Sequence, residues 1–383
     1  MQLKHTTGPN ISMFVKDNSG TATPWKGAAA GQVGEVLDFY IHLELPDYNN
    51  DNVYMTKLSL ADAMHGLEYV NGSAKLTTTA LDGEVGAVEK TTGLTSTPGA
   101  YDADGNQTVT FDVDYHEIKT RGASVSAYIH FQAKVMPVAA KTGETATAET
   151  KLTYTFSLEP TTSRTTSPVG VKVHTYAFSL AKLSDEDIEG STDKKPLTNA
   201  GFTLYSDAGM ATANAVSMIK ETVGGEIYYR PALAGETGVT ELLADLGADH
   251  NTLLVRGLDA NTYYLKETKV PSGYYAPKGG FAVQLTGDRE AVSKTLNGKL
   301  AAASSFTATN NATDGVLINS SVLNGTEQNR LDASLKNSST PVLPTTGGVG
   351  TVMFTVVGLL CMGAALWFFL FARRRRKDEQ EQG

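Results

Sequence analysis

Apolar residues return at every second position in nine runs spread along this 383-residue chain. The runs are Val36–Pro46, Thr108–Val113, Ser126–Val135 and Lys151–Phe156, then Val173–Leu183, Gly201–Tyr205, Asn261–Glu267, Phe281–Leu285 and Asp332–Asn337. Side chains alternate across a strand, so a period of two predicts strands with one buried face. Gly, Asn, Asp and Pro punctuate the runs, as turns require. The spacing predicts an all-β chain of antiparallel sandwiches rather than alternating strands and helices. Short helices are expected only near Leu58–His65 and Ala211–Thr222. Thr161–Pro168 is polar, lacks an apolar period and ends in proline, so it reads as a linker. The expected plan is two tandem immunoglobulin-like β-sandwich domains, residues 1–165 and 170–338.

Composition removes several function classes. The net charge is −9 with no basic stripe outside the C-terminal tail, which argues against nucleic-acid binding. None of the seven histidines forms a metal-binding pair, and there is no Gly-rich phosphate loop, so no metal or cofactor is expected. Asp102–Asn106 opens like a Ca²⁺ loop but lacks the later ligands, and reads as a turn. No constellation suggests an enzyme. The single cysteine, Cys361, lies in an apolar run, so disulfides cannot staple the remainder.

That run, Val349–Ala372, contains no charged residue. It exceeds the about 20 residues that cross a bilayer as a helix. Arg373–Lys377 follows with five basic residues, which the positive-inside rule keeps in the cytoplasm. Everything before Val349 is then outside the cell. Just ahead lies Leu343-Pro344-Thr345-Thr346-Gly347. Residues 343–383 resemble the cell-wall sorting signal of Gram-positive surface proteins. The resemblance implies a sortase that cleaves between Thr346 and Gly347 and joins Thr346 to peptidoglycan or to another subunit. The membrane helix is then a temporary anchor. Met1–Asn10 has no apolar signal core, so an export signal is expected to precede it.

Parity brings three polar residues to the ends of apolar strand faces. Lys182 follows Tyr176, Phe178 and Leu180; Glu267 follows Tyr263 and Leu265; Asn337 follows Ala333 and Leu335. A strand-end residue turning to solvent explains any one of them. The joint explanation is an intramolecular isopeptide bond. Burial favours a neutral lysine, which is a nucleophile, and a protonated glutamate, which can polarise the carboxamide and protonate the leaving nitrogen. Asn319 is a second candidate acceptor.

Tyr176–Lys182, Pro196–Tyr205 and Tyr264–Tyr274 resemble the B-type domain of the Cna adhesin, and the last resembles the pilin E-box. The resemblance implies Lys182 as amine, Glu267 as catalytic carboxyl and Asn337 as acceptor. Gly34–Pro46 and Leu58–Tyr69 resemble the fimbrial isopeptide-forming domain that precedes it in pilins. There the expected lysine aligns with Met13 and the expected asparagine with Ala148, while Asp62 is retained. The first domain is therefore expected to lack its crosslink, unless a slip brings Lys16 into play. The resemblances imply a structural subunit of a sortase-assembled pilus or fimbria, in the cell wall and facing the exterior. A monomeric wall-anchored adhesin binding a host surface ligand is the alternative. Shaft pilins carry a Tyr-Pro-Lys-Asn-like acceptor motif, which this sequence does not contain.

Overall fold

The structure is a computed structural model. It describes residues 8–16, 25–46, 54–78, 89–90, 92–118, 125–141, 145–276, 279–285, 306–309, 330–339 and 357–367. The first strands are β1 (Asn10–Lys16), β2 (Ala28–Ala30), β3 (Val36–Leu45), β4 (Met55–His65), β5 (Leu67–Tyr69), β6 (Lys75–Thr77), β7 (Glu89–Lys90) and β8 (Leu94–Pro98). Next come β9 (Asn106–Val113), β10 (Val125–Val135), β11 (Ala146–Phe156), β12 (Glu159–Thr165), β13 (Val169–His174), β14 (Tyr176–Asp187), β15 (Lys194–Pro196) and β16 (Ala200–Tyr205). The last are β17 (Met218–Val223), β18 (Glu226–Pro231), β19 (Leu242–Ala244), β20 (Thr252–Leu258), β21 (Thr262–Lys269), β22 (Phe281–Leu285), β23 (Phe306–Thr309) and β24 (Arg330–Asn337). The described residues are mainly strands, as the apolar period predicts, with a one-turn helix at Tyr115–Ile118 and a 3₁₀ turn at Pro137–Ala140 that the sequence does not announce.

Two sheets of order β1-β3-β10-β6-β7 and β2-β13-β11-β4-β9-β8 enclose one core. Phe39, Ile41, Leu60, Phe111 and Phe131 fill it. Phe39 and Phe131 stack at 5.3 Å across paired strands. Two further sheets, β15-β14-β20-β18-β17 and β19-β16-β21-β22-β23, enclose a second core built on Phe178, Leu180, Phe202, Val255, Leu265 and Leu335. The last strand, β24, runs parallel to β14, with Lys182 beside Leu335 and Ser184 beside Asn337. The two halves touch through a small apolar cluster that includes Val33, Ala140, Tyr228 and Leu254. Gly257 has φ 73°, and a Cβ there would lie 2.7 Å from Val33 and 2.9 Å from Ala140, so a side chain would wedge the halves apart.

Three local expectations are corrected. Leu58–His65 is part of strand β4, with Leu58, Leu60, Asp62 and Met64 buried at a period of two. The stretch Ala211–Thr222 is a single 3₁₀ turn at Thr212–Asn214 followed by β17. The polar segment expected as a linker is largely β12, which pairs with β11. Strand β13 also belongs to the first pair of sheets, pairing with β11 and β2. Val173–Leu183 is therefore two strands that divide at Thr175, whose hydroxyl donates to the Ala139 carbonyl at 2.8 Å. His174, Thr175 and Tyr176 are all buried because the chain passes there from one core to the other.

Asp102 accepts backbone N–H bonds from Asp104 and Asn106, the geometry of a turn. Residues 357–367 are helical and exposed. Among the described residues no helix is long and apolar enough to cross a membrane. The rest of the expected span, and Leu343–Gly347, lie outside the described residues.

Candidate functional site

Lys182, Glu267 and Asn337 converge in the second core, from its first strand, a middle strand and its last strand. Alternation turns Lys182 inward after Tyr176, Phe178 and Leu180, and it is wholly buried. Its backbone is fixed on both sides. Its N–H donates to Asn251 O at 2.7 Å, and Asn251 Nδ2 donates to Lys182 O at 3.0 Å. On β21 a bulge opposite Gly201–Phe202 precedes the strand end, and Glu267 points inward opposite Phe202. Asn337 closes β24 and is 1% exposed.

Lys182 Nζ lies 3.8 Å from Glu267 Oε1. Asn337 Nδ2 donates to the same Oε1 at 2.9 Å. Lys182 Nζ also donates to the Leu335 carbonyl at 3.4 Å. Glu267 Oε2 and Asn337 Oδ1 are buried without a hydrogen-bond partner among the described residues. Buried polar atoms are normally satisfied, so two orphans in one cluster set this site apart from the rest of the core.

Burial pushes the lysine down to about 8, partly offset by the nearby carboxylate. Burial raises Glu267 above the usual carboxylate range, against the pull of Lys182 and of the Asn337 hydrogen bond. Both shifts favour the uncharged forms. Moving one proton from Lys182 to Glu267 yields a free amine and a carboxylic acid with no exchange with solvent.

Polarising the carboxamide calls for a bond from Glu267 to its oxygen, whereas here the carboxamide nitrogen faces Glu267. An ionised carboxylate can only accept, so it draws in the NH₂ end; a half-turn of the amide presents Oδ1 to the protonated acid instead. Asn319 lies outside the described residues.

The first core holds a related arrangement without an amine or an amide. Asp62 is fully buried, and Thr150 Oγ1 donates to its Oδ1 at 2.9 Å. The same hydroxyl lies 3.7 Å from Met13 Sδ. Asp62 Oδ2 has no partner among the described residues. Burial raises Asp62 to about 7, with the Thr150 hydrogen bond opposing. Met13 stands where the resemblance expects lysine. Ala148, which the resemblance aligns with the expected asparagine, is buried in the same core and pairs with Met64, while the residue opposite Asp62 is Thr150. Residues 148 and 150 share a face, so parity alone cannot choose between them. Lys16 sits on the outer face of β1, with Nζ 5.9 Å from the Trp25 ring, well away from this core.

An LPXTG cell wall anchor motif matches residues 335–379, and a prealbumin-like fold domain matches residues 187–299. No curated protein matches the chain. Among solved structures, the chain is similar to domains D2 and D3 of the major pilin SpaD from Corynebacterium diphtheriae. That match has 15% identity and TM-score 0.47, covering 86% of this chain and 98% of that one. A 35 kDa C-terminal fragment of the major pilin GBS80 of Streptococcus agalactiae gives 16% identity and TM-score 0.48, covering 86% and 100%. Full-length SpaD gives 15% identity and TM-score 0.46, with 86% of this chain covering 65% of that one. The chain thus carries an LPXTG cell wall anchor motif and a prealbumin-like fold domain, and the motif indicates covalent attachment to the Gram-positive cell wall surface.

Proposed function

We propose that this protein is a structural subunit of a sortase-assembled pilus or fimbria, and that its second sandwich is locked by an autocatalytic Lys182–Asn337 isopeptide bond. The observation that carries the reading is the buried Lys182–Glu267–Asn337 cluster joining the first and last strands of one core. Neutral Lys182 attacks Asn337 Cγ. Glu267, holding the proton taken from the lysine, donates first to the carboxamide oxygen and then to the departing nitrogen. One C–N bond forms, another breaks, and ammonia leaves. Exclusion of water keeps the amine unprotonated and prevents hydrolysis of the amide. The reaction occurs once per molecule, so it is maturation rather than enzymatic turnover.

In this reading a sortase cuts between Thr346 and Gly347 and passes Thr346 to an amine. The acceptor is a lysine of another subunit, or peptidoglycan at the base. Pro344 suits this step because it stiffens an extended peptide for an enzyme groove. A denaturing gel of cell-wall extracts checks the assembly. Polymerisation predicts a ladder of high-mass species reactive with antibody to this chain. A single band would instead favour a monomeric wall-anchored adhesin.

A further inference from the structure

The outer face of the β1-β3-β10-β6 sheet is unusually aromatic for a solvent-facing surface. Phe14, Tyr40 and His130 stand in one cross-strand row that ends at Lys75. His42 and Tyr128 stand in the next row and stack at 4.4 Å, 5° from parallel. Phe14 packs on Tyr40 at 4.9 Å, and Tyr40 meets Tyr128 edge-on at 5.7 Å. Trp25 stands over the sheet, 4.7 Å from Tyr40 and 5.9 Å from His130. These side chains are half-buried, except His130, which is buried. The opposite face of the same strands already supplies the core, so folding alone does not call for a second aromatic layer.

Beside this layer is a cleft of about 390 Å³, between Trp25 on one side and Ser73 and Lys75 on the other. That volume lies within the range of small-molecule sites. Its floor holds Asp38 and Gln132, joined by a 2.8 Å hydrogen bond from Gln132 Nε2. Lys16 and Lys75 flank it, so cations outnumber the one carboxylate among its lining residues.

We propose that this cleft binds an acidic saccharide. A pyranose presents a face of C–H bonds and a rim of hydroxyls. The C–H face suits the negative π-face of Trp25. The hydroxyls donate and accept, which matches the paired acceptor and amide of Asp38 and Gln132. A sugar carboxylate suits Lys16 and Lys75, because charge-assisted bonds are the strong ones. Two sheet strands form the floor, so the site is pre-organised. The inference rests on the first sandwich alone and stands apart from the crosslink and pilus readings.

The test is calorimetric titration of the full-length chain with a tetrasaccharide of alternating glucuronate and N-acetylglucosamine. A neutral N-acetylglucosamine tetramer and an acidic tetrapeptide run alongside. Saturable binding is expected for the acidic saccharide only. Lys75→Ala weakens it about tenfold, the effect of one charge-assisted contact. Trp25→Ala abolishes it, with a melting curve confirming that the variant is folded. If Trp25→Ala does not fold, Lys75→Ala on the exposed rim decides alone. No saturable binding of the acidic saccharide overturns the proposal. So does equal binding of the neutral sugar or the peptide, or undiminished binding by Lys75→Ala.

Discussion

At the scale of single residues, two buried carboxyl groups have been given different company. Glu267 sits between an amine and an amide, whereas Asp62 meets a hydroxyl and a thioether. In the unfolded chain an aspartate titrates near pH 4, and in the folded one Asp62 holds its proton up to about 7. The native state therefore binds more protons between those values, and stability falls as pH rises through that window, then levels above it. The cost is on the order of 4 kcal/mol for a shift of about three units. Asp62→Asn keeps an acceptor for Thr150 and removes the titration. Melting curves from pH 4 to 8 should show the parent losing stability relative to Asp62→Asn; parallel curves would contradict it. The Lys182, Glu267 and Asn337 cluster was legible in the sequence because each ends an apolar run of fixed parity. Thr150 was not, because its role depends on strand register, which parity leaves undetermined.

Among the elements, strands β4 and β12 hide from the sequence for different reasons. Strand β4 buries a carboxyl in the middle of its apolar face, and that breaks the alternation on which recognition of a strand depends. Strand β12 is mostly exposed along an edge, so its sequence has the polarity of a linker. By contrast β24 was legible and matters most, since the proposed bond needs it docked on β14. Leu335 is wholly buried beside Lys182 and supplies the carbonyl that Nζ touches. Leu335→Ala should cost roughly 2–5 kcal/mol through the cavity it leaves. The effect is best read by urea unfolding in a Glu267→Ala background, where no bond can mask it. In the otherwise native chain the same change should slow bond formation, followed as the fraction of lighter mass over time after refolding. A formation rate equal to the parent's would show that docking of β24 does not limit the reaction.

For the molecule as a whole, the topology would turn the proposed Lys182–Asn337 bond into a mechanical one. Strands β14 and β24 lie side by side, so with the proposed bond in place force entering at Tyr176 would run along β14 to Lys182, cross to Asn337 and leave towards the sorting motif. Everything between those two residues is bypassed. Met13 and Thr150 offer neither an amine nor an amide for such a tie, so on this reading the first sandwich should be the part that yields. Pulling the chain from its ends should show full extension of the first sandwich. The second should fall short by about 50 nm, the contour of the bypassed residues. A full-length extension of both would remove the mechanical role. The proposed crosslink would also limit the unfolded chain, which on the loop-entropy model is worth about 5 kcal/mol for a closure this long. That gives a surface protein without disulfides another source of durability.

The most direct test is the intact mass of the purified chain beside that of its Glu267→Ala variant. The parent should be lighter than its sequence predicts by one ammonia, and the variant should have its full calculated mass. A parent at full mass would mean that Lys182 and Asn337 meet in the core without joining.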